Sequence, residues 1–102
     1  MQFAIGEAVL AFWKDAGAYF IGTVVEQKDE QYYVVFFDGD QGWIPGSKIK
    51  KLEIKEGDKV IARWSDGKYY PGRVAKVTGG AFYIHFDDGD KGWTSLAGIA
   101  SK

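Results

Sequence analysis

The chain has 102 residues, 13 Lys+Arg against 14 Asp+Glu, one histidine and no cysteine. A formal charge of -1 gives no chain-wide footprint for coating a polyanion. The missing cysteines exclude a disulfide framework or thiolate metal site, and His85 alone cannot build a catalytic triad or a His-rich metal centre. No apolar run approaches the roughly 18 residues of a membrane-spanning helix, and the N-terminus has no leader pattern. The expectation is therefore a protein without a membrane partner, nuclear in a eukaryote and cytoplasmic in a prokaryote. What needs explaining is the 4 Trp, 6 Tyr and 7 Phe in so short a chain.

In chain order, the first segments return half a chain later. Gly6 to Asp15 (GEAVLAFWKD) matches Gly57 to Asp66 (GDKVIARWSD), and Ala18 to Val24 matches Lys68 to Val74. Asp38 to Trp43 (DGDQGW) matches Asp88 to Trp93 (DGDKGW). One extra residue near Ala16 reconciles the spacing, and about a third of the aligned positions are identical. Two copies of one unit, residues 1–52 and 53–102, follow from this repeat. A unit of about 50 residues has little core of its own, so the copies are expected to lean on each other. The connection Lys50 to Gly57 alternates Leu52 and Ile54, which suits a strand better than a flexible linker.

Within each unit the apolar period is two. Val9, Ala11 and Trp13, like Val60, Ala62 and Trp64, form a first strand. Tyr19 to Gln27 and Tyr69 to Val77 form a second, in which Gly22 and Gly72 are expected to mark a bend or bulge. Gln31 to Phe37 and Ala81 to Phe86 form a third, rich in Val, Ile, Tyr and Phe. Asp-Gly turns then lead to a short fourth strand from Gln41 or Lys91, and a tight turn precedes a last strand. No segment carries a helical stripe, so the class is all-β, two small twisted barrels in series. Adjacent rings such as Tyr19-Phe20, Tyr69-Tyr70 and Phe36-Phe37 must point to opposite faces of their strands. Some of them therefore face solvent, the other barrel, or a ligand held by cation–π attraction. Asp38, Asp40, Asp88 and Asp90 beside those rings favour a cation over a phosphate. The Asp-Gly-Asp runs lack the remaining ligands of a calcium loop, so no metal and no cofactor is expected.

The run VIARWSDGKYYPGRV, continued by FYIHFDDGD, resembles a Tudor domain, and the whole chain is similar to a tandem Tudor pair. The resemblance implies a five-stranded SH3-like barrel in each half, packed together, and a non-enzymatic module whose aromatic cage binds methylated Lys or Arg of a protein partner. By position it implies cage walls at Trp64, Tyr70 and Phe86 with the acid Asp88, and at Trp13, Phe20 and Phe36 with Asp38. Where many methyl-binding members place a further aromatic after the turn, this chain has Asp40 and Asp90. Trp43 and Trp93 are then expected to pin the fourth strand to the core. His85 stands opposite Val35 in the repeat and reads as a partly exposed strand histidine. Arg63, Lys68, Arg73 and Lys76 suggest a modest basic strip on the second unit, which keeps a nucleic-acid partner as an alternative. A structural adaptor whose surplus rings only join the barrels is the other. No nucleophile–base pair or phosphate-cradling loop can be assembled.

Overall fold

The computed structural model describes residues 3–102, which form two compact units, one ending at Leu52 and the other running from Glu53 to Lys102. The N-terminal unit contains β1 (Ala8–Trp13), β2 (Ala18–Lys28), β3 (Gln31–Phe36), β4 (Gln41–Pro45) and β5 (Ile49–Lys51). The C-terminal unit contains β6 (Lys59–Arg63), β7 (Tyr69–Thr78), β8 (Ala81–Phe86), β9 (Lys91–Ser95) and β10 (Ile99–Ser101). A single 3-10 turn, Gly46–Lys48 or Leu96–Gly98, precedes each last strand, and the described residues include no α-helix.

Every pairing within a unit is antiparallel. In the first, β1 pairs with β2 and β5, β2 with β3, and β3 with β4. The second repeats the plan, with β6 between β10 and β7, then β8 and β9. The fifth strand thus returns beside the first. Among the described residues no ladder joins the fourth strand to the fifth, so each unit is a curled five-stranded sheet rather than a fully closed ring.

Period two sets which side chains are buried. Along β3, Tyr32, Val34 and Phe36 are buried between exposed or half-buried neighbours, and Phe82, Ile84 and Phe86 repeat this along β8. The adjacent rings Phe36 and Phe37 are divided between core and solvent: Phe36 is 3 % exposed, whereas Phe37, which falls just beyond β3, is 47 % exposed. Fully burying such a side chain contributes about 1.5–3 kcal/mol.

Three expectations need correction. Gly22 and Gly72 do not interrupt the second strand. The register shifts instead between Val24 and Glu26 and between Val74 and Lys76. The glycines are there for close approach: a Cβ on Gly72 would lie 2.8 Å from Ile84 Cγ2 and 2.9 Å from the His85 carbonyl, and one on Gly22 would lie 2.5 Å from Val34 Cγ1. The connection between units is a strand only to Lys51. Beyond it, Asp58 N–H bonds the Lys55 carbonyl and Lys55 N–H bonds the Asp58 carboxylate, as Glu7 and Ala4 bond each other at the first unit's entrance. Leu52 and Ile54 therefore flank an entry turn, which the alternating pattern mimics. Finally, Trp43 and Trp93 are 42 % and 55 % exposed. They stand on the outer face against Tyr33 and Tyr83, with ring centroids 5.3 and 5.0 Å apart, because their ladder partners also face outward.

Candidate functional site

In the C-terminal unit two tight turns bring four predicted residues to one place. Trp64 directly follows β6, and its N–H donates to the Lys68 carbonyl at 2.9 Å while its own carbonyl accepts from Gly67 N–H at 2.9 Å. That turn sets Trp64 near Tyr70 at the start of β7. Phe86 ends β8, donates from its N–H to the Asp90 carbonyl at 2.8 Å, and accepts from Gly89 N–H at 3.0 Å. Gly89 has φ 97°, a conformation only glycine adopts without strain. The Asp88 carboxylate accepts from Asp90 N–H at 3.0 Å and fixes the loop.

Between these turns lies a cleft of about 220 Å³ lined by Trp64, Asp66, Tyr70, Phe86, Asp88 and Asp90. Phe86 meets Trp64 edge-on, with centroids 5.3 Å apart and planes at 79°. A Cβ on Gly92 would come within 3.0 Å of Trp64 Cζ3, so the glycine of the Gly-Trp pair gives the indole its seat. Asp90 is among the acids that the sequence places beside the rings, whereas Asp66 is a site residue that sequence reasoning missed. Asp66 holds the first turn, accepting from Lys68 N–H at 2.9 Å and from the Tyr70 hydroxyl at 2.5 Å. The Tyr70 hydrogen bond, then the Lys68 backbone bond, hold the Asp66 carboxyl below the usual carboxylate range, and the same bond to Asp66 raises the Tyr70 phenol above its ordinary value. The available signal was spacing: Asp66 stands two residues after Trp64, four before Tyr70, and matches Asp15 in the repeat.

The corresponding residues of the N-terminal unit are arranged differently. Trp13 and Phe36 meet edge-on at 5.2 Å, and the Asp38 carboxylate accepts from Asp40 N–H at 3.1 Å. Phe20, however, is only 8 % exposed and offers little surface to a ligand. Trp13 instead helps line a cleft of about 560 Å³ with Phe12, Asp15, Trp43 and Lys48.

Three aspartates in one cleft invite comparison with a metal centre. Among the described residues, however, no three His, Asp or Glu side chains gather as a metal would require. The unit offers instead a ring-walled recess with an acidic rim, whose chemistry is attraction of a cation. His85 is exposed on β8, edge-on to Tyr83 at 5.5 Å, and outside this recess. The basic strip is regrouped: Arg63 and Lys68 lie at the opposite end of the β6–β7 ladder from Arg73, whose partner is Lys59.

Comparison with known proteins agrees with this architecture. The family described as the Jumonji domain-containing protein 2A Tudor domain matches residues 57–89, a stretch that includes Trp64, Tyr70, Phe86 and Asp88. Among solved structures, the Crb2 tandem tudor domains are similar at 18 % identity with a TM-score of 0.70, covering 100 % of this chain and 81 % of that one. AGDP1 AGD34 of Arabidopsis thaliana is similar at 20 % identity with a TM-score of 0.52, covering 98 % and 82 %. No curated protein matches the sequence. At these identities the likeness concerns the fold, which is that of tandem Tudor-type units.

Proposed function

Starting from a tandem Tudor-type fold, whose relatives are interaction or reader modules, we propose that the C-terminal unit binds a cationic side chain of a partner protein, and that this side chain is a methylated Lys or Arg. The observation that carries the reading is the shared cleft of Trp64, Asp66, Tyr70, Phe86, Asp88 and Asp90. Half-buried Trp64 and Tyr70 supply π-faces while Phe86, 6 % exposed, closes the wall edge-on to Trp64, and a cation over such a face gains about 0.5 kcal/mol when exposed and about 2 when desolvated. Methyl groups make an ammonium or guanidinium cheaper to desolvate, which suits a recess walled by rings. The three carboxylates favour positive charge and oppose phosphate, and those facing inward can accept a remaining N–H. At about 220 Å³ the recess accepts the end of one side chain, below the roughly 300–1,000 Å³ of pockets for whole small molecules. This favours a binding module over an enzyme.

The N-terminal group of Trp13, Phe20, Phe36 and Asp38 is the weaker partner in this proposal, because burial of Phe20 narrows its wall. Titrating mono-, di- and trimethyl-lysine and dimethyl-arginine peptides against the protein, with indole and backbone NMR shifts as readout, tests the assignment. Shifts at Trp64 and Tyr70 that exceed those from unmodified peptides are expected. Silence at millimolar ligand, or equal response to unmodified peptides, would sink it.

A further inference from the structure

The outer face of the C-terminal sheet carries a feature of opposite charge that the cage does not use. The ladder registers place Lys59 opposite Arg73, Arg73 opposite His85, and His85 opposite Lys91. Residues directly opposite in antiparallel strands share a face, and all four are exposed. One rung therefore holds a basic side chain on each of β6, β7, β8 and β9. At about 4.8 Å between strands the row is ~14 Å long. The next rung on this face is Lys76, Tyr83 and Trp93, with Lys76 Nζ 6.0 Å from the Tyr83 centroid and Trp93 55 % exposed. Lys76 shares the face of Arg73 only because the register shifts between Val74 and Lys76. Arg63 and Trp93 both line a cleft of about 360 Å³.

The N-terminal unit is an internal control. Its equivalent rung is Ala8, Thr23, Val35 and Gln41, which is uncharged, and its next rung has Glu26 in place of Lys76 beside Tyr33 and Trp43. The basic rung is thus not required by the fold.

We propose that this outer face of β6–β9 binds single-stranded nucleic acid, the basic rung tracking the phosphates and the Trp93–Tyr83 rung stacking bases. A row of four basic groups suits about three phosphates, and adjacent rings give a single strand base-stacking surfaces. A duplex keeps its base faces closed, so the rings would have nothing to stack on. An acidic peptide has no flat faces for them either. A lipid surface needs a broader apolar anchor than Trp93 and Tyr83, whereas the rung beyond them on this face is Thr78, Ala81 and Ser95. Asp87, whose N–H bonds the Pro71 carbonyl, and Asp90, next to Lys91, bound the row toward the cage, so a polyanion is kept on the sheet.

The test is fluorescence anisotropy with a labelled oligothymidine of about twelve nucleotides. Three phosphates contacted on a single strand predict a log–log salt slope of about −2, roughly 20-fold weaker binding at 200 mM than at 50 mM salt. Replacing Arg73→Thr, His85→Val and Lys91→Gln installs the residues the N-terminal unit carries at the same register positions. This variant should keep its melting temperature and lose at least about tenfold in affinity. Should it fail to fold, Lys76→Glu alone, again the N-terminal residue, is expected to cost several-fold. Trp93→Ala should cost about fivefold or more, and Trp43→Ala nothing. The proposal is overturned by absence of binding at 50 mM salt, by unchanged affinity in folded variants, or by equal or tighter binding of a duplex, polyglutamate or anionic vesicles.

Discussion

The two units share a plan and differ in what they do with their surplus rings. In the N-terminal unit, Lys48 Nζ lies 5.0 Å from the Phe12 centroid and Lys50 Nζ lies 4.2 Å from that of Tyr19, while Phe12 and Tyr19 meet at 5.3 Å. Here the chain's own cations sit over half-buried rings. In the C-terminal unit the residues equivalent to Phe12, Lys48 and Lys50 are Arg63, Gly98 and Ala100, so that arrangement is not repeated. Phe20 is buried, whereas its counterpart Tyr70 is half-buried, lines the cleft and bonds Asp66. A ring that already holds a lysine or the core has little attraction left for a ligand. The difference teaches that aromatic content alone does not mark a binding unit; what marks it is rings gathered with carboxylates around a cleft that holds no cation of the chain's own, whereas the N-terminal cleft of Phe12, Trp13 and Trp43 is lined by Lys14 and Lys48 as well as Asp15.

The largest expected effect breaks the comparison at what the units have in common. Gly72→Ala and Gly22→Ala should each destabilise their own unit, by about 1–3 kcal/mol, because a Cβ would press on Ile84 and the His85 carbonyl, or on Val34. A thermal melt should show a loss of several degrees for either substitution. If Gly72→Ala melts like the parent, the close approach is not a constraint.

Ligand binding separates the units next. Trp64→Ala should weaken a methylated peptide by about tenfold or more, in keeping with a desolvated cation–π contact, while Trp13→Ala should change it less than about twofold. Isothermal titration of the two variants against one peptide makes the measurement, and equal losses would erase the asymmetry. A smaller gain is expected from transplanting the basic rung: Thr23→Arg, Val35→His and Gln41→Lys together should raise oligothymidine affinity a few-fold in anisotropy.

The smallest effect is the sharpest test of the Tyr70–Asp66 bond. Tyr70→Phe gives the C-terminal unit the residue of the N-terminal one and should let the Asp66 pKa rise toward its ordinary value in a carboxylate NMR titration. The lowered Asp66 pKa means that its contribution to stability is present above the unfolded carboxyl pKa and is lost as pH falls through the folded one. Tyr70 has the opposite sign: its raised pKa gives a contribution present below the unfolded phenol pKa and lost as pH rises through the folded one. Tyr70→Phe should remove the phenol dependence and reduce the carboxyl one, because the Lys68 N–H bond to Asp66 remains, and both changes should be modest since the Tyr70–Asp66 bond is exposed.

What the sequence by itself determined is local. The period-two strands and the Asp-Gly turns depend on neighbours along one strand or across one tight turn, which can be counted off the chain, and the repeat is read by aligning its halves, whereas the grouping of Trp64, Tyr70, Phe86 and Asp88 was implied by the resemblance to a Tudor domain. Only the tertiary structure decided what depends on register. It brought Lys59, Arg73, His85 and Lys91 into one rung from four strands, and the shift between Val74 and Lys76 moved Lys76 to the face of Arg73, where strict alternation would separate them. It turned Trp43 and Trp93 outward and made Gly22 and Gly72 points of contact rather than bends. Alternation fixes which residues of a strand share a face, but a one-residue shift exchanges the faces, and that shift is set by packing between strands that are distant in the chain.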